Sequence, residues 1–207
     1  MDESIQLLLG QLNAPQSPKR RSAAKKLRKL GVVTSGPALL AALEREVLDS
    51  RTWETQYQMI MALAESGYRE ALPFLEGFVS RSLEATILYL ALGDAIVRLS
   101  QSGPSDVTPV LRILREGRHS MLLDGAFRAM AMLRLVPAPP ELAEILHYVN
   151  KLAPDDNLRF WVAAAAPGWS DPSVKAFLVD CAKSSRQDLK EASSLAIAGK
   201  YKVWRPL

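Results

Sequence analysis

The chain has 207 residues, 48% hydrophobic and 23% charged, a balance that argues for a folded chain over wholesale disorder. No apolar run approaches the roughly 18 residues of a membrane span, the single cysteine, Cys181, excludes an internal disulfide framework, and the acidic opening is the reverse of a secretory leader. A cytoplasmic protein with no membrane partner is the expectation. The net charge of +4 is unevenly spread: residues 1–35 carry +5, residues 36–160 carry −4 and residues 161–207 carry +3. A nucleic-acid channel running the length of the chain would be basic throughout.

In chain order, two kinds of helix alternate. Ile5, Leu8, Leu9 and Leu12 stand at i, i+3, i+4 and i+7, one face of a 3.6-residue period, and signal the first kind. An Ala-rich helix over 17–30 follows. A looser row at Leu39, Leu40, Leu43 and Val47 precedes an Ala-rich helix over 52–66. Ala71, Phe74, Leu75 and Phe78 then lead to 84–100, and Val107, Val110, Leu111 and Leu114 lead to 120–135. Leu142, Ile145, Leu146 and Val149 precede 157–166, and Val174, Phe177, Leu178 and Cys181 precede 187–198. β-branched residues are scattered and do not alternate, so strands are not expected.

A punctuation device recurs with this alternation. Gly31, Gly67 and Gly103 are spaced 36 residues apart, and Pro37, Pro73 and Pro109 each follow six residues later. Pro just inside a helix start and Gly just past a helix end are the expected signals. With Leu9, Leu39, Leu75, Leu111, Leu146 and Leu178 as equivalent positions, six units result: 1–31, 32–67, 68–103, 104–137, 138–168 and 169–207.

Arg20, Ala23, Ala24, Leu27 and Gly31 resemble the R-x-x-A-A-x-x-L-x-x-x-G face of HEAT-type repeats, and 159–164 (RFWVAA) is similar to the same segment of bacterial HEAT-like proteins. The 36-residue period is shorter than the roughly 40–47 of typical HEAT units, so short bacterial HEAT repeats of the PBS-lyase type fit best. The resemblance implies an all-α, right-handed α-solenoid of about six helix pairs forming one domain over 1–207. It also implies that the second helices line a concave groove where a partner binds. Asp2, Glu3, Gln6 and Gln11 suit the solvated side of the first helix, and 201–207 is expected to fold over the last core layer.

The strongest local signal is the basic run 19–29. On a helical wheel, Ala23, Ala24, Leu27 and Leu30 fall within an arc of about 120°, while Arg21, Lys25, Lys26, Arg28 and Lys29 cover the opposite arc with no acid among them. Like charges on one face repel, and solvent or an anionic partner relieves this. The candidate protein-binding residues are therefore Arg21, Lys25, Arg28 and Lys29, joined by the row Trp53, Tyr57 and Met61, whose amphipathic aromatics suit binding surfaces. A solvated face and packing against the next repeat are the respective alternatives. No aromatics interleave the basic run, which ranks nucleic acid below an acidic protein as its partner.

Catalytic signals are few. His119 and His147 stand on different units without a matching carboxylate or thiol cluster, so no metal or other cofactor is expected. Cys181 occupies a core slot, and no phosphate-binding Gly loop or Gly-x-Ser-x-Gly appears. Asp124 and Arg128 read as a surface i, i+4 ion pair. Phe160 and Trp161 read as core, and Trp169 either lies exposed on a loop or plugs a contracted repeat. A non-catalytic protein–protein interaction module, acting as adaptor, regulator or inhibitor, is the leading expectation. A HEAT-like enzyme resembling the alkylpurine DNA glycosylases is the alternative, on Trp53, Trp161, Asp124 and the basic end. Bilin lyase subunits share the repeat type, but no residue here points to a chromophore.

Overall fold

A computed structural model describes residues 3–204. Asp2 and 205–207, assigned above to the two end caps, lie outside the described residues. The described residues are all-helical, with twelve α-helices, short 3₁₀ turns and no strand. The helices are α1 (Glu3–Gln11), α2 (Ser17–Leu30), α3 (Gly36–Glu46), α4 (Trp53–Ser66), α5 (Leu72–Val79) and α6 (Ile87–Ser100), then α7 (Thr108–Glu116), α8 (Ser120–Met132), α9 (Pro139–Val149), α10 (Asn157–Ala165), α11 (Pro172–Cys181) and α12 (Gln187–Ile197). The even-numbered helices are the second kind of the alternation, but alanine does not set them apart, since α3 carries Ala38, Ala41 and Ala42.

The chain divides into two compact units, Met1–Ser100 and Gln101–Leu207. In the first, α4 packs between α2 and α6, while α1, α3 and α5 each pack on the even-numbered helix that follows. In the second, α10 packs between α8 and α12, α7 packs on α8, and α11 packs on α12. A helix flanked on both sides and backed by a third needs small or apolar residues nearly all round. α4 has them: 59–64 (MIMALA) is a continuous buried run. The alanines among them let the neighbouring helices approach closely.

The punctuation device holds twice and then changes. Gly31 and Gly67 end α2 and α4 in the left-handed conformation, φ 59° and 73°, which a residue with a Cβ adopts only at a cost. Gly103 does not cap α6, which ends at Ser100, and its φ is not positive. Asp106 organises that turn instead, its carboxylate accepting the Ser102 N–H at 2.9 Å and the Thr108 N–H at 3.1 Å. Pro37, Pro73 and Pro109 all sit in the first turns of their helices. Of the equivalent leucines, Leu39, Leu75, Leu111, Leu146 and Leu178 are buried, and Leu9 is half-buried.

The arginines of the repeat motif act as locks within each unit. Arg20 donates from Nε and Nη2 to the Glu46 carboxylate at 2.5 and 2.8 Å, and from Nη1 to the Ala14 and Pro15 carbonyls at 2.8 and 2.9 Å. One side chain thus joins α2, the α1–α2 loop and the end of α3. Arg159 does the same on α10, donating to Asp180 at 2.6 Å and to the Val149 carbonyl at 3.3 Å. Cys181 lies in the core beside it, and burial pushes its thiol pKa up, against the pull of Arg159.

Candidate interaction surface

The basic run folds as predicted onto α2, because Ala23, Ala24 and Leu27 bury completely and turn the charged arc outward. The acids absent from α2 come from α4, its neighbour. Arg21 pairs with Glu54, and Arg28 donates to Glu65 at 2.7 Å and to Gln58 Oε1 at 3.4 Å. Burial disfavours the Arg28 charge, but Glu65 more than compensates and holds its pKa above the ordinary value. The Arg21 pair is half in solvent and contributes little to stability. Both arginines therefore already have an acid within the fold.

The lysines do not. Lys19, Lys25, Lys26 and Lys29 are exposed, and none has an ion-pair partner among the described residues. They form an exposed strip along α2, flanked by the ion-paired Arg21 and Arg28. Leu30, placed by the wheel in the apolar arc, is half exposed in the last turn, close to exposed Val33 in the following 3₁₀ turn.

The row on α4 sinks from surface to core. Trp53 is 38% exposed in the first turn, Tyr57 is half-buried, and Met61 is completely buried. Met61 is thus corrected from contact residue to core residue. Because α2 and α6 flank α4, only a narrow strip through Trp53, Glu54, Tyr57, Gln58 and Glu65 reaches solvent. Trp53 and the Lys25–Lys29 pair remain available to a partner.

A cleft of about 360 Å³ in the same unit is lined by Asn13, Pro15, Arg20, Arg45, Glu46 and Asp49 among others. Its charges are already satisfied: Arg20 by Glu46, Arg45 by Asn13 at 2.6 Å, and Asp49 by Arg51 at 2.8 Å. The Arg51 hydrogen bonds pull the Asp49 pKa down to about 2.

In the second unit, one expectation is corrected and one open alternative is decided. Asp124 and Arg128 are each only 7% exposed, because α8 is buried nearly all round, so they are not a surface pair. Asp124 instead accepts the Trp161 indole N–H at 2.7 Å and the Asn157 amide at 2.6 Å. Trp169 is buried and donates to the Leu135 carbonyl at 2.9 Å, which excludes the exposed-loop alternative. Phe160 is buried, while Trp161 stays half-buried and packs edge-on to it at 4.8 Å. His119 caps α8, its Nδ1 accepting the Met121 N–H, and His147 is exposed on α9.

Among the described residues, no group of three or more His, Cys, Asp or Glu side chains is arranged to hold a metal ion, and no helix is long and apolar enough to cross a membrane. Known protein families, curated proteins and solved structures were all compared with the chain, and none matches it.

Proposed function

We propose that the chain is a non-catalytic protein-binding module whose α2 lysine strip takes an acidic protein partner, with Trp53, exposed at the start of the adjoining α4, supplying an aromatic contact. The helix pairs are, in this proposal, HEAT-like repeats of a right-handed solenoid, a view supported by the stacking of even-numbered helices within each unit. The observation that carries the function is the contrast along α2. Arg21 and Arg28 are neutralised by α4, while four neighbouring lysines are left without acids. Charge of that kind, fixed on a rigid helix, steers an oppositely charged surface into contact. The test is affinity capture with the wild type and with Lys25→Glu/Lys29→Glu. A partner retained by the first should bind the second at least about tenfold more weakly, mainly through slower association. Equal binding by both would refute the assignment of this face.

The second reading, an enzyme resembling the alkylpurine DNA glycosylases, is favoured by one contact, the Trp161–Asp124 hydrogen bond. Against it, both Asp124 oxygens already accept hydrogen bonds and the residue is buried. Release of alkylated base from a methylated duplex, lost in Asp124→Asn, would establish it.

A further inference from the structure

After α12 the chain turns at Gly199, φ 68°, and residues 201–204 run without helical structure over the second unit. Their side chains, not their backbone, make the attachments. The Arg134 guanidinium stands 4.5 Å from the centre of the Tyr201 ring. The Tyr201 hydroxyl reaches over Gly168, where a Cβ would lie only 2.5 Å from it, so the turn after α10 is shaped to the tip of that ring. Lys202 pairs with Glu191 of α12 at 2.8 Å. Trp204 packs 5.3 Å from the Trp161 ring and 6.1 Å from Phe160, while Val203 points into solvent.

The receiving face is held by bonds that do not involve this segment. Asp124 fixes the Trp161 indole, Asn157 bridges from Asp124 to Arg186 at 3.1 Å, and Arg186 stands over the Phe160 ring at 5.8 Å. Among the described residues no backbone hydrogen bond retains 201–204, the last such bonds being made by Gly199 and Lys200 to α12. The platform is therefore pre-organised, and its occupant can leave without breaking a backbone ladder.

We propose that this face is a docking site for an extended segment carrying a Lys/Arg two residues before an aromatic, and that 201–204 is its displaceable built-in occupant. Charge and shape on the page set that chemistry: Glu191 receives the cation, the Phe160–Trp161 platform receives the aromatic, and Gly168 admits a second ring. A partner segment of this kind competes with the chain's own, whose presence lowers the apparent affinity by the fraction of time the face is open.

The probe is a labelled synthetic peptide of residues 199–207, titrated by fluorescence anisotropy into the full-length chain and into full-length Tyr201→Ala/Trp204→Ala. The opened variant should bind the peptide at least about tenfold more tightly than the wild type. Adding Gly168→Ala to the opened variant, or Trp204→Ala to the peptide, should abolish that gain. Equal binding by wild type and opened variant overturns the proposal, as does no binding by a folded opened variant at millimolar peptide. If the opened variant does not fold, full-length Lys202→Glu replaces it, and a failure of that variant to bind more tightly than wild type is equally decisive.

Discussion

Replacing Glu46 with Gln should destabilise the first unit by about 2 kcal/mol, because hydrogen bonds to a charged group contribute about 1.5–3 kcal/mol. The carboxylate is 3% exposed and receives two bonds from Arg20 and one from the Ser17 hydroxyl at 3.0 Å. Deleting one partner of a buried pair outright costs about 3–5 kcal/mol. Gln retains one acceptor oxygen, and Arg20 keeps the Ala14 and Pro15 carbonyls, so the lower figure is expected. Burial works to raise the Glu46 pKa, but the hydrogen bonds from Arg20, Thr52 and Ser17 outweigh it and hold it below the ordinary 4.5. A depressed carboxyl pKa stabilises above the unfolded value, and that contribution is lost as pH falls through the folded one. Urea unfolding of wild type and variant should therefore differ fully at neutral pH and converge on acidification below 4.5. A difference under about 0.5 kcal/mol at neutral pH, the range of ordinary surface changes, would refute the lock. So would a difference that ignores pH.

Leu75→Ala, at a fully buried position, should cost about 2–5 kcal/mol in the same assay, and hydrogen exchange should rise most in α4 to α6. Met61→Ala should likewise lower stability by about 2–5 kcal/mol, whereas Trp53→Ala should leave stability nearly unchanged and weaken partner binding. Trp161→Phe removes the indole donor to Asp124 and should cost about 1.5–3 kcal/mol, read by thermal melting.

Much of the fold is legible because its signals are local. The α2 range of 17–30 is marked by Ser17-Pro18 at one end and Gly31 at the other, and the odd helices announce themselves by apolar rows at helical spacing. What escapes is whatever depends on the register between helices. Nothing within 19–29 reveals that Glu54 and Glu65 lie opposite Arg21 and Arg28, since the pairs are 33 and 37 residues apart. The spacing of eleven between those glutamates, three helical turns, is the one hint that they share a face. Met61 continues the row from Trp53 on a wheel, but a wheel does not say that two neighbours squeeze α4 from both sides. Asp124 and Arg128 look like a solvent pair for the same reason: their spacing is visible and the burial of α8 is not. Gly103 keeps the repeat spacing yet caps nothing, because the acceptor at Asp106 offers the turn a different solution.

On the proposed reading, the α2 strip serves an acidic protein and not nucleic acid. Filter binding of a random DNA duplex and a random single strand to the wild-type chain, across a range of salt, tests it most directly. Little retention at about 0.05 M salt and no steep logarithmic salt slope are expected, because α4 already neutralises Arg21 and Arg28 and no aromatic interleaves the lysines. Retention of both nucleic acids, with a steep slope that Lys25→Glu/Lys29→Glu flattens, would contradict it.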